Sequence, residues 1–111
     1  MQPAVENQPT CLKSTGRNIV DLLGRSHVLD MLYFMSNQDK PLRFNVLKRE
    51  LSITATTLSR RLEDFISLGF INREVFAEVP ARVEYSLSDK AKSLGPVLRN
   101  LFDWVESNYS E

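Results

Sequence analysis

Arg43-Phe44-Asn45-Val46-Leu47-Lys48-Arg49-Glu50-Leu51-Ser52-Ile53-Thr54-Ala55-Thr56-Thr57-Leu58-Ser59-Arg60-Arg61-Leu62 is the stretch on which the reading of this chain turns. Phe44, Leu47 and Leu51 recur at i, i+3 and i+7, which puts them on one face of a helix. Lys48 and Arg49 fall off that stripe. Ser52-Ile53-Thr54 breaks the period, and the Thr54 hydroxyl suits the cap of a second helix. In that second segment Leu58, Leu62, Phe65 and Ile66 share a face, and Gly69 stands where helices commonly end in a left-handed residue. Two helices joined by a short turn, the second amphipathic and polar at its start, make a helix-turn-helix pattern. A plain αα-hairpin in a bundle satisfies the same spacing.

The next segment separates the two. Phe70-Ile71-Asn72-Arg73-Glu74-Val75-Phe76 is rich in β-branched and aromatic residues. From Ala81 to Leu87, Val83, Tyr85 and Leu87 alternate with Arg82, Glu84 and Ser86, the signature of a half-buried strand. Ala77-Glu78-Val79-Pro80 joins the two, and Pro80 suits a tip but not a central strand. Helix, turn, helix, hairpin is the winged-helix order. The fold class expected is α+β, mostly α: a winged helix-turn-helix with its recognition helix at about 55–68 and its wing hairpin at about 70–87.

Outward from this unit, Ser36–Pro41 reads as a loop. His27 to Met35 is apolar nearly all round, a core or interface helix, with Ser26 as its expected N-cap. Ile19, Leu22 and Leu23 mark a first helix closed near Gly24. Residues 1–16 are polar and aperiodic and read as a flexible arm ahead of a domain at 17–107. On the other side, Ser88 is placed to cap a final helix over about 89–107, with Gly95-Pro96 kinking or restarting it. Leu94, Val97, Leu98, Leu101, Phe102, Trp104 and Val105 give that helix an apolar surface wider than one stripe. So small a domain can hardly cover it alone, so the expectation is a homodimer packed through this helix. Packing on its own domain is the other choice.

Composition excludes several classes. The chain has 111 residues, which fits one domain, and is 42% hydrophobic, enough for a core. No apolar run approaches the ~18 residues of a membrane span. The N-terminus lacks the basic start and apolar run of a signal peptide. The one cysteine, Cys11, leaves no internal disulfide, and a cytoplasmic, reducing setting is expected. His27 is the one histidine, too few ligands with Cys11 for an ordinary metal site. Dinucleotide, P-loop and G-x-S-x-G motifs are absent, and Glu63-Asp64 reads as a solvated pair rather than a catalytic dyad. The expectation is a protein that is not an enzyme and takes no cofactor or metal.

The 14 basic and 14 acidic side chains cancel, but unevenly along the chain. Lys40 to Arg61 holds six basic residues and one acid, a net of +5. Glu74 to Glu111 holds four basic residues and seven acids, a net of −3. A basic middle on a neutral chain attracts polyanions.

Several pieces, in order, resemble the HxlR-type winged-helix regulators, a branch near the MarR-like repressors. They are Arg43-Phe44-Asn45-Val46-Leu47, Leu58-Ser59-Arg60-Arg61-Leu62 and Leu68-Gly69-Phe70-Ile71-Asn72-Arg73. Val79-Pro80-Ala81-Arg82-Val83-Glu84-Tyr85-Ser86-Leu87-Ser88 and Leu94-Gly95-Pro96-Val97-Leu98 follow, and then Trp104. The resemblance covers about residues 19–107. It implies a transcriptional regulator that binds double-stranded DNA as a homodimer, with the helix from Ala55 to Leu68 reading DNA and the 76–82 tip as wing. It also implies a possible redox sensor in Cys11, although Leu12 follows where the family often has proline. Ser26-His27 stands where the family often has Lys-Trp.

In physical terms, phosphates supply most of the affinity and base edges the specificity. The start of the second helix enters the major groove in such folds. Here it presents Thr54, Ala55, Thr56, Thr57, Ser59, Arg60 and Arg61. Thr56, Thr57 and Arg60 are assigned to bases or their surroundings, since arginine grips guanine O6 and N7 with two parallel bonds. Arg61, Lys48 and Arg43 are assigned to the DNA backbone. Arg61 has Glu63, Asp64 or Glu50 as alternative partners. Arg82 either reaches DNA from the wing or pairs with Glu84 or Glu78. Thr54 serves first as a cap. Two such helices on a dimer call for a palindromic or near-palindromic operator. About six neutralised phosphates would give a slope of log K on log salt near −5. The alternative is a winged-helix module for protein–protein contact without DNA affinity of its own.

Overall fold

Apolar residues from all six helices build the core, and a small sheet closes one side of it. The computed structural model describes residues 16–110. The arm expected at 1–16, Gly16 apart, and Cys11 with it lie outside the described residues. Helix α1 (Arg17–Leu23) leads into α2 (Val28–Ser36), β1 (Leu42–Arg43), α3 (Phe44–Leu51) and α4 (Ala55–Ser67). Strands β2 (Ile71–Phe76) and β3 (Arg82–Leu87) follow, then α5 (Asp89–Lys92) and α6 (Gly95–Tyr109). The mostly helical α+β winged-helix class is as the sequence implied.

The sheet is antiparallel in the order β1-β3-β2. Ile71 lies opposite Leu87, Arg73 opposite Tyr85, and Val75 opposite Val83, while Leu42 meets Tyr85 from the other edge. One sheet face therefore runs from buried Ile71 and Leu87 outward to Arg73 and Val75, which are exposed. Val28, Met31, Leu32, Leu47, Leu58 and Phe65 have no exposed surface and form the centre. Each such side chain contributes about 1.5–3 kcal/mol by leaving water. Phe65 stacks on Phe70 at 6.3 Å between ring centroids, tying the end of α4 to the sheet.

The turns are made as the local chemistry requires. Thr54 Oγ1 accepts from the Thr57 backbone N–H at 3.2 Å and caps α4. Ser52 closes α3 in the left-handed region, φ 53°. Gly69, at φ 75°, turns the chain from α4 into β2, a conformation that favours a residue without Cβ. Ser88 Oγ accepts from Ala91 N–H and caps α5.

Three expectations need correction. His27, at φ 68°, stands at the N-cap of α2, and Ser26 does not cap it, because the Ser26 hydroxyl is bonded by Arg61 instead. The restart expected at Gly95-Pro96 is observed, with α5 ending at Lys92, α6 beginning at Gly95 and Pro96 in the first turn of α6. That second piece runs to Tyr109 rather than stopping near 107. Ile66, expected with the core stripe, is 39% exposed, because α4 presents it toward an open cleft rather than toward α2.

Candidate nucleic-acid interface

The start of α4 projects from the fold with its polar residues outward. Thr54, Ala55, Thr56, Ser59 and Arg60 are exposed and Thr57 is half-buried, while Leu58, Leu62 and Phe65 anchor the opposite face. Thr54 Oγ1 also donates to Thr57 Oγ1 at 3.1 Å, so the Thr57 hydroxyl proton remains available outward. The Ala55 and Thr56 N–H groups point out of the helix start without intrahelical acceptors, a favourable setting for an anion. Helix α3 crosses behind this segment. Lys48 is exposed on it, and Arg43 is exposed at its N-cap.

Ion pairing sorts the expected DNA-contacting cations into two groups. Among the described residues, Arg43, Lys48 and Arg60 have no carboxylate partner. Arg61 is different. Its Nε donates to the Ser26 carbonyl at 2.9 Å, one Nη to Ser26 Oγ at 3.0 Å and the other to Asp64 at 3.0 Å. The side chain is only 16% exposed. The geometry thus makes Arg61 a strut between α4 and the α1–α2 turn, and of the choices open to it in sequence, pairing with Asp64 is the one observed. Arg25 reaches the same Asp64 carboxylate at 3.1 Å, so two guanidinium groups share one acid.

Arg82 is likewise occupied. Its guanidinium lies 3.9 Å over the Phe76 ring, with Nη2 3.1 Å from Glu78 and Nε 3.5 Å from Glu84. Of the two choices open to it in sequence, pairing within the wing is the one observed. The tip at 77–81 instead offers fully exposed Val79 and the acid Glu78.

Helix α6 packs on α2 through buried Leu98 and half-buried Phe102, whose ring meets Tyr33 edge-on at 5.1 Å. An Arg99 Nη donates to the Tyr33 hydroxyl at 3.0 Å, and this bond lowers the Tyr33 pKa below the usual phenol range. The outer side of α6 is apolar and uncovered. Val97, Leu101, Trp104 and Val105 recur at helical spacing and are each 41–58% exposed. Among the described residues no helix is long and apolar enough to cross a membrane, and no cluster of His, Cys, Asp and Glu could hold a metal ion.

A helix-turn-helix whose second helix exposes hydroxyls and Arg60 at its start, with a β2–β3 hairpin following it, defines a winged helix-turn-helix protein of the DNA-binding class. The chain belongs to the HxlR-like helix-turn-helix family, whose pattern matches residues 22–111. It is 38% identical over 90 residues to an HTH-type transcriptional regulator of Halalkalibacterium halodurans, spanning 80% of this chain and 79% of the relative. It is 34% identical over 87 residues to the HTH-type transcriptional regulator YvaP of Bacillus subtilis, spanning 78% and 79% of the two chains. Among solved structures, the redox regulator HypR in its reduced form superposes with a TM-score of 0.72 at 33% identity. That match covers 86% of this chain and 93% of HypR. The protein is therefore a DNA-binding transcriptional regulator of the HxlR type and not an enzyme.

Proposed function

We propose that the protein binds double-stranded DNA sequence-specifically as a homodimer, with the start of α4 in the major groove and the wing alongside. The observation that carries this is the set of unpaired, exposed cations around one helix start: Arg43, Lys48 and Arg60, beside the hydroxyls of Thr56, Thr57 and Ser59. Arg60 and Thr56 face outward where base edges would lie. Arg43 and Lys48, exposed at the cap of α3 and on α3 itself, take the flanking phosphates in this reading. Arg61 and Arg82 take structural roles in this reading. The uncovered apolar stripe of α6 is the surface a second copy would bury, and the two recognition helices would then address half-sites about one helical turn apart on a near-palindromic operator. A cytoplasmic location follows from this function. Cys11 remains the candidate thiol for a redox response.

The test has two parts. A gel shift on random duplex at low salt is expected to show binding, and a silent gel would favour the protein-contact module instead. Selection of bound duplexes from a random pool is expected to return paired half-sites. Arg60→Ala should cost roughly 1–3 kcal/mol and relax base preference, and an unchanged footprint would remove Arg60 from the reading set.

A further inference from the structure

Between α4 and the sheet lies an open cleft of about 640 Å³ that the functional reading does not yet use. Its helix side is Ser59, Glu63, Ile66 and Ser67, which share the flank of α4 next to its reading face. Its sheet side is Arg73 on β2 and Tyr85 on β3, which are register partners. Phe44 closes one end. Ser59 thus belongs both to the cleft and to the exposed start of α4, so the cleft is continuous with the proposed major-groove surface.

Arg73 is the feature that needs a reason. It is exposed on the sheet face that turns toward α4, one step outward from buried Ile71. Among the described residues no carboxylate lies within 4.0 Å of it, although Glu63 lines the same cleft and Glu74 is its neighbour in sequence. The wing's other arginine, Arg82, is held by two glutamates and a ring. Arg73 is therefore the free cation of the hairpin. A guanidinium held on a strand, opposite helix hydroxyls and over an aromatic and aliphatic floor, offers a phosphate two parallel hydrogen bonds and the adjoining sugar an apolar bed.

We propose that this cleft is the seat of one DNA sugar-phosphate strand, the strand that passes between the recognition helix and the wing, and that Arg73 binds its phosphate. The inference rests on the DNA-binding reading above and adds to it a contact on the sheet. It also restores the phosphate count. Arg43 and Lys48 supply four contacts in a dimer, and Arg73, taking the place of Arg61, brings the number to the six expected.

The experiment compares wild type, Arg73→Ala and Arg73→Lys on one random-sequence duplex over a range of salt, alongside thermal unfolding of each. Arg73→Ala is expected to weaken binding on every sequence alike and to flatten the slope of log K on log salt by about 2, two phosphates at 0.9 each. Arg73→Lys is expected to recover most of that slope, since it keeps the charge. Unfolding should be little changed, because among the described residues the Arg73 side chain has no ion-pair partner. An Arg73→Ala protein with wild-type affinity and slope overturns the strand seat while leaving the DNA reading intact. A slope lost in step with thermal stability overturns it too, by making Arg73 a structural residue. Wild type without duplex affinity at any salt sinks the reading beneath both.

Discussion

Arg61→Ala separates a strut from a DNA contact at a residue whose sequence neighbourhood permits either role. The structure assigns its donors to Ser26 O, Ser26 Oγ and Asp64, with 16% of the side chain exposed. Truncation removes all three bonds. The carboxylate of Asp64 keeps Arg25 at 3.1 Å, so it is not stranded, and Ser26 is exposed enough to be rehydrated. The loss is then two charge-assisted bonds to neutral acceptors plus part of an ion pair, about 2–3 kcal/mol. For a domain of this size that lowers the thermal midpoint by about 10–20 °C. Urea unfolding at fixed protein concentration reads the change directly. Arg61→Lys should lose most of the same stability, since an ammonium cannot reproduce the fork across Ser26 and Asp64. DNA titrations below the lowered midpoint should keep the wild-type salt slope. An unchanged urea midpoint together with a slope flattened by about 2 would refute the strut and return Arg61 to the phosphate contacts.

Four other perturbations follow from single features. Leu101→Glu, on the uncovered side of α6, should yield monomer in sedimentation equilibrium with little change in secondary structure; persistence of a dimer would place the interface elsewhere. Trp104 is the one tryptophan and is 57% exposed in a single subunit, so dilution of wild type should red-shift its emission as the dimer dissociates, and a concentration-independent spectrum would count against that surface. Tyr33, whose hydroxyl accepts from Arg99, should contribute a phase below the ordinary phenol pKa in a phenolate absorbance titration. Because its folded pKa is depressed, the added stability is full above the ordinary phenol pKa and fades as pH falls through the lowered value; Arg99→Gln should abolish the early phase, and identical titrations would remove the contact. Gly69→Ala meets no atom within 4 Å but must hold φ 75°, so a loss of about 1–2 kcal/mol in urea unfolding is expected from backbone strain alone, and an unchanged midpoint would show that the turn relaxes.

What the sequence revealed and what it hid follow from the range over which each feature is decided. The helices, the Thr54 cap, the Gly69 turn and the alternation on β3 are fixed by residues within a few positions of one another, and periodicity reports them. Strand β1 is two residues long, too short to show a period, and exists because Leu42 and Arg43 pair with Tyr85 and Glu84 far along the chain. The Ser26 expectation failed for the same reason: the competitor for its hydroxyl lies 35 residues away. Charge was legible as a total along 40–61 but not in its allocation. Arg60 and Arg61 are adjacent and chemically identical, yet a step of about 100° around α4 carries one into solvent and the other over the α1–α2 turn. Arg82 and Arg73 divide in the same way across the hairpin, one enclosed by Glu78, Glu84 and Phe76, the other left facing α4. A basic segment therefore identifies a polyanion-binding region from sequence, while the choice of contacting side chains waits on which cations the fold has already neutralised. By that criterion the proposed phosphate contact on the hairpin moves from Arg82, enclosed within the wing, to Arg73 beside α4.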